Sequence, residues 1–313
     1  KQKTAYEIST RDWSSDVCSS DLNVKENYEF VRKVKTVVGS TPPKAPYVSF
    51  DHVIENGDYE IPVRIFKPDI DGHFPVLIFF HGGGWVTGNI DSYTRVCANM
   101  AVITKNIVVS VDYRLAPEHK FPTAVEDCYC VTQEILNHPY LFSVKPEEVT
   151  LIGDSAGGNL AAAVSLMSKD KNAIIPKRQI LIYPSTYYCH DENSPFQSIR
   201  DNGTDYLLTS KRVCDYLDMY VSCGEDRKSP YFAPLLAENP TNQPDTLIVT
   251  AEYDPLRDEG EAYGEKLRQF GNNVEIFRIP DALHGFISLP LKFPVVVELY
   301  DKINEFLHVE NNA

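Results

Sequence analysis

Residues 149–167 read VTLIGDSAGGNLAAAVSLM, and the change of pattern at their centre decides how the rest of the chain is read. VTLIG is a short apolar run suited to a buried strand, and NLAAAVSLM continues as a helix. Between them stands Gly153-Asp154-Ser155-Ala156-Gly157-Gly158. A strand that turns directly into a helix bends sharply enough to strain its central residue. Glycines two before and two after that residue remove side chains that would collide there. The turn lifts the Ser155 hydroxyl above the sheet, with the helix N-terminus aimed at it. G-x-S-x-G alone is a weak pattern; at a strand-to-helix junction it marks a nucleophile.

Outward from this junction the same alternation recurs. The runs PVLIFF, NIVVSVDY, VTLIG, RQILIYP, DTLIVTAEYD and NVEIFRIP are separated by longer helical patterns. Continuous apolar strands between helices are what a parallel sheet covered on both faces requires. Upstream, YVSFDHVIE and YEIPVRIFKP flank Asn56-Gly57-Asp58, which predicts an antiparallel hairpin. The expected fold is α/β: one eight-stranded, mostly parallel sheet covered by helices on both faces, in a single domain over residues 23–313. An amphipathic helix is expected over residues 28–38, ended by TPPKAP. Residues 187–226 are polar and aromatic, with helix signals and no strand. An insertion after the sixth strand lies above the carboxyl ends of the sheet, where open α/β sheets bind ligands. It is therefore expected to form a helical cap over a pocket, together with residues of about 23–45.

A serine hydroxyl needs a base, and the base an orienting acid. On a sheet of this kind the partners follow in the order Ser, acid, His. Asp254 closes DTLIVTAEYD and precedes a proline; His284 follows the last strand, in DALHGF. Glu252 falls nearer the strand, Asp258 within the next helix, and Asp281 is read as a solvent-facing loop residue. His308 lies in the last helix, while His52, His73, His119, His138 and His190 precede the acid or lack the loop setting. For the oxyanion, PVLIFF ends in His81-Gly82-Gly83-Gly84-Trp85, a run that frees consecutive N–H groups. Gly83, Gly84 and Ala156 are the expected donors, each worth roughly 3–4 kcal/mol of transition-state stabilisation. His81 and Gly82 are expected to brace the loop, without proton transfer at His81.

Composition narrows the partners. The chain has 313 residues, 43% hydrophobic and 24% charged, with a formal charge of −14, enough apolar content for a sizeable core. Phosphate binding needs clustered Lys and Arg, so nucleic acid is not an expected partner. Nor is a membrane, since no run of about 18 apolar residues exists. The seven cysteines lack any C-x-x-C pair, which argues against a metal or disulfide framework and for a reducing, cytoplasmic setting. No metal or other cofactor is expected, and the oligomeric state is left open.

HGGGW, YRLAPEHKFPTAVED, GDSAGGNLAAA, DPLRDEGEAY and HGF, in this order, resemble the hormone-sensitive-lipase-like family of α/β-hydrolases, in its microbial GDSAG-type esterase branch. The resemblance covers residues 47–313. It implies ester hydrolysis without a cofactor, a cap built partly from N-terminal helices, and the roles given above: Ser155 nucleophile, His284 base, Asp254 orienter, and Gly83, Gly84 and Ala156 oxyanion donors. A serine carboxylesterase on short to medium acyl esters is the expected function, with Tyr187, Tyr188, Phe196, Tyr206, Tyr216 and Tyr220 closing the pocket around a small acyl group. An amidase, formamidase or deacetylase on the same triad is the second reading, and a catalytically silent small-molecule receptor the third.

The first 22 residues stand apart. No apolar run of signal-peptide length is present and no periodicity can be read through them. Residues 1–8 and 12–22 are similar to the two halves of a translated sequencing-library adapter, with room for a barcode between them. The reading implied is a gene assembled from environmental reads, whose first 22 residues have no packing role.

Overall fold

The computed structural model describes residues 23–308; the adapter reading of residues 1–22, with Trp13 and Cys18, lies outside the described residues. Eight strands form one sheet: β1 (Tyr47–Asn56), β2 (Tyr59–Pro68), β3 (Val76–Phe80), β4 (Ile107–Val111), β5 (Val149–Asp154), β6 (Arg178–Ile182), β7 (Asp245–Tyr253) and β8 (Val274–Leu283). Their spatial order is β1-β2-β4-β3-β5-β6-β7-β8. The expected hairpin pairs β1 with β2 in antiparallel register, Asn56 opposite Tyr59, closed by Gly57 at φ 61°. β2 runs antiparallel to β4, and from β4 to β8 every pairing is parallel.

All residues of β3, β4 and β5 are buried, which is why they read as unbroken apolar runs. Alternate residues serve opposite faces. Val76, Ile78 and Phe80 join one core layer, while Leu77 and Phe79 join the other. The first layer is covered by α3 (Thr123–Asn137), α4 (Ala156–Asp170) and α7 (Arg257–Gln269). The second is covered by α2 (Thr94–Thr104) and α8 (Pro294–His308). Cys128 faces the first layer fully buried, while Cys130, two residues on, is half-buried, as C-x-C spacing on a helix dictates.

Three more helices stand outside the sheet layers: α1 (Val24–Gly39), α5 (Gln197–Asn202) and α6 (Ser210–Tyr220). α1 begins a turn earlier than its apolar pattern indicates, because the Asn23 side chain accepts the Lys25 N–H and caps it. It packs on α6, where Lys25 Nζ meets Asp218 Oδ2 at 2.7 Å and Asp215 Oδ1 at 3.3 Å. The insertion after β6 holds α5 and α6 and no strand, as expected. Its root is tied to α7, since Glu259 Oε1 accepts the N–H of Thr186 at 2.7 Å and of Tyr187 at 3.2 Å. His190 Nε2 lies 2.5 Å from Glu259 Oε2, both side chains fully buried. Among the described residues no helix is long and apolar enough to cross a membrane.

Candidate active site

Ser155 sits between β5 and α4 at φ 56° and ψ −118°, a strained conformation for a residue with a side chain. The flanking glycines make it attainable. A Cβ on Gly153 would fall 2.3 Å from the Gly157 carbonyl oxygen, and one on Gly157 would fall 1.9 Å from that of Phe80. Asp254 follows β7, fully buried, with Oδ1 accepting the Leu256 N–H at 2.9 Å. Its other oxygen, Oδ2, lies 2.6 Å from His284 Nδ1, and His284 Nε2 lies 2.8 Å from Ser155 Oγ. Three loops at the carboxyl end of one sheet thus bring Ser155, His284 and Asp254 into a single hydrogen-bonded line. The rival acids have other partners. Glu252 Oε2 accepts the Asp281 N–H, while Asp258 binds Arg257 Nε and caps Ser198 N–H.

The loop after β3 faces the same point. Gly83 and Gly84 adopt φ 126° and 63°. A Cβ on Gly83 would meet the Thr87 carbonyl oxygen at 2.1 Å, and one on Gly84 the Tyr216 ring at 2.3 Å. Both glycines and Ala156 line a cavity of about 180 Å³ together with Ser155 and His284. His81 is buried beneath, stacked 4.3 Å from Tyr113, with Nδ1 2.9 Å from the Gly82 carbonyl oxygen. Burial pushes its imidazole down to about 4, with the Gly82 carbonyl pulling the other way. A ring neutral at ordinary pH suits hydrogen-bonded support of the loop.

Sequence reasoning gave Asp154 no role. In the structure it is buried and ties the two active loops together: Oδ1 accepts the Gly82 N–H at 2.8 Å, and Oδ2 the Tyr93 hydroxyl at 3.1 Å. The available signal was chemical, since a carboxylate at the end of a fully buried strand must find donors. Burial pushes its carboxyl from the ordinary 3.8 up to about 6, against the pull of the Gly82 N–H and the Tyr93 hydroxyl. The folded chain therefore holds this proton more tightly than the unfolded chain. Ionising Asp154 costs stability as pH rises from about 4 to 6, and the full cost remains above that. His81 acts in the opposite sense, losing stability as pH falls from about 6.5 to 4, so the two obscure each other in the wild type. Measured against wild type, Asp154→Asn should gain about 2 kcal/mol more at pH 7 than at pH 4. Denaturant titrations at the two pH values check this; a difference that does not vary with pH would overturn it.

Of the six aromatics expected around the cavity, the structure places Tyr216 on its wall. Tyr187 packs on Tyr188 and Phe196, Tyr206 stacks on Tyr253 at 5.4 Å, and Tyr220 stacks on Trp85 at 4.5 Å. Rings gain from stacking on other rings, and the lining falls instead to Leu207, Leu208 and Val213 of the insertion and Val24 and Val31 of α1. Among the described residues no group of three or more His, Cys, Asp or Glu is placed to hold a metal ion.

Comparison with known proteins shows the family and the fold. The family described as alpha/beta hydrolase fold matches residues 77–288. An arylesterase of Saccharolobus solfataricus is 36% identical over 275 residues, covering 86% of this chain and 87% of that protein. An ethyl acetate hydrolase of Pseudomonas putida is 32% identical, covering 74% and 73%. The solved structure of a hyperthermophilic esterase from Pyrobaculum calidifontis superposes with a TM-score of 0.82 at 33% identity, covering 93% of each chain. From the matched motifs, the eight-stranded sheet and these relatives together, the chain belongs to the α/β-hydrolase family, in its hormone-sensitive-lipase-like branch.

Proposed function

We propose that this chain is a serine carboxylesterase acting on short to medium acyl esters through an acyl-enzyme. The hydrogen-bonded line Ser155–His284–Asp254 at an apolar-walled cavity carries the reading. Ser155 Oγ attacks the acyl carbon while His284 Nε2 takes its proton. Negative charge then grows on the former carbonyl oxygen, toward the N–H groups of Gly83, Gly84 and Ala156. Collapse expels the alcohol, which leaves with the proton from His284. Water, deprotonated by His284 in turn, attacks the acyl-enzyme, and the acid is released with Ser155 regenerated. Asp254 holds Nδ1–H and stabilises the imidazolium at each transfer. The names of the arylesterase and ethyl acetate hydrolase relatives support this reaction class.

In this reading α1 and residues 187–226 are the cap, and their Val24, Val31, Leu207, Leu208 and Val213 form the acyl site. Preference should fall on acyl chains of about two to eight carbons, each fitting methylene adding up to roughly 0.8 kcal/mol until the site is full. The test is kcat/KM over p-nitrophenyl esters from acetate to palmitate, with anilides of the same acids alongside. An optimum beyond about eight carbons, or faster turnover of long-chain triglyceride emulsions than of soluble esters, would overturn the acyl range. Anilides cleaved in preference to esters would overturn the reaction class.

A further inference from the structure

The peptide units that present the oxyanion donors are hydrogen-bonded at their other ends. The Gly84 N–H shares a planar, conjugated peptide with the Gly83 carbonyl. That carbonyl accepts the Thr87 N–H at 2.9 Å, the Val86 N–H at 3.2 Å and the Thr87 hydroxyl at 2.9 Å. Thr87 Oγ1 in turn accepts a hydrogen bond from Lys35 Nζ at 2.9 Å. Lys35 comes from α1, which lies along this loop contact by contact. Arg32 Nε donates to the Val86 carbonyl at 2.7 Å, and Asn89 Nδ2 donates to Thr36 Oγ1 at 3.1 Å. Gly39 has no room for a Cβ, which would fall 1.7 Å from the Ser92 carbonyl oxygen.

From these contacts we infer that α1 is part of the oxyanion apparatus, with Lys35 a positioning residue that acts through the Thr87 hydroxyl on the Gly83–Gly84 peptide. The inference rests on the proposed role of Gly84 as an oxyanion donor. Drawing electron density onto the Gly83 oxygen makes the Gly84 N–H a stronger donor, and hydrogen bonds linked in a chain reinforce one another. The ammonium adds a full positive charge at the start of the chain. Its effect is largest when the substrate oxygen becomes an anion, so it favours the transition state over the bound ester. Lys35 also lines the cavity, and a cation there could instead bind an anionic substrate group directly. The two roles part cleanly, because direct binding makes no use of Thr87.

The experiment uses the full chain with neutral p-nitrophenyl butyrate, comparing Lys35→Met, Thr87→Val, the double variant and Thr87→Ser. Losing a direct oxyanion donor costs about 10²–10³ in kcat, so weakening one should cost roughly tenfold in each single variant, with KM within about twofold. The double variant should be no worse than about tenfold, since both changes interrupt one chain. Thr87→Ser keeps the hydroxyl and should stay within about twofold of wild type in kcat. Affinity for a trifluoromethyl ketone, whose adduct with Ser155 carries the oxyanion, should fall with kcat, while a substrate-like ether binds unchanged. Unaltered kcat in both single variants, fully multiplying losses in the double, or Thr87→Ser as impaired as Thr87→Val would overturn the inference. The same variants are also assayed with the anionic p-nitrophenyl hemisuccinate; a KM increase in Lys35→Met confined to that ester, with kcat on the butyrate unchanged, would overturn it in favour of direct binding. Labelling of wild-type Ser155 by a phosphonate ester checks the underlying triad separately. If labelling fails, the functional reading fails; if it succeeds and the variants are unaffected, only this inference does.

Discussion

Ser155→Ala should keep the wild-type fold and lose roughly 10⁴–10⁶-fold in turnover of soluble esters. The separation of effects follows from how the residue is held. Its elbow depends on main-chain bonds, Ser155 N–H to the Ile182 carbonyl at 2.8 Å and Asn159 N–H to the Ser155 carbonyl at 3.0 Å. It depends also on the space left by Gly153 and Gly157. None of these involves the hydroxyl. Alanine meets the same backbone strain as serine, so the melting temperature should move by no more than about 2 °C, the shift that about 1 kcal/mol produces in a chain of roughly 300 residues. What disappears is the atom 2.8 Å from His284 Nε2, and with it the acyl-enzyme. The residue of activity reflects oxyanion stabilisation and substrate positioning. Steady-state hydrolysis of p-nitrophenyl acetate beside a thermal melt gives both readings. More than a tenth of wild-type turnover in a folded Ser155→Ala protein would remove Ser155 as nucleophile.

Asp254→Asn should be nearly as damaging, about 10⁴-fold in kcat, although the side chain keeps its shape. The two carboxylate oxygens have different duties. Oδ1 accepts the Leu256 N–H at 2.9 Å and Oδ2 faces His284 Nδ1 at 2.6 Å. An asparagine keeps the first bond only by turning its carbonyl toward Leu256, which turns its amide N–H toward His284. Nδ1 must then accept, the imidazole proton moves to Nε2, and the nitrogen facing Ser155 can no longer take a proton. The Asp254 side chain is fully buried, so water cannot easily restore the lost acceptor. Both kcat and the rate of phosphonate labelling should fall together, because both need the activated serine. An Asp254→Asn protein that is labelled at the wild-type rate would place the orienting acid elsewhere.

The sheet was legible because the physics that buries β3 to β7 also writes them as apolar runs, and because the chain alternates strand with helix. Ser155, Asp254 and His284 were legible for a related reason, each standing in a loop at the carboxyl end of a strand. Features that depend on partners distant in sequence were not. Asp154 reads as one acid among many until its donors Gly82 and Tyr93, 72 and 61 residues away, are seen beside it. The aromatics of the insertion could be counted but not aimed, since composition does not say which ring faces a cavity and which stacks on Trp85 or Tyr253. The contacts of α1 with residues 86–92 lie equally beyond local pattern, for amphipathicity tells which face is covered and not what covers it.

The Trp85–Tyr220 stack bears on how the roof over Ser155 can move. The rings lie 4.5 Å apart and parallel to within 1°, with Phe121 edge-on to Tyr220 and Phe232 stacked beside it. Phe121 N–H also donates to the Tyr220 carbonyl at 2.8 Å, and the Ser222 hydroxyl to the Phe121 carbonyl at 2.8 Å. Each aromatic pair is worth about 0.5–1.5 kcal/mol beyond its buried area, so the last turn of α6 is riveted to the same loop that carries Gly83 and Gly84. Swinging α6 away at that end would pull Trp85 with it and dismantle the catalytic geometry. The opposite end of α6 follows Leu207 and Leu208, which line the cavity; in the proposed reading, loosening the cap there leaves the Trp85 contact, and with it the loop of Gly83 and Gly84, in place.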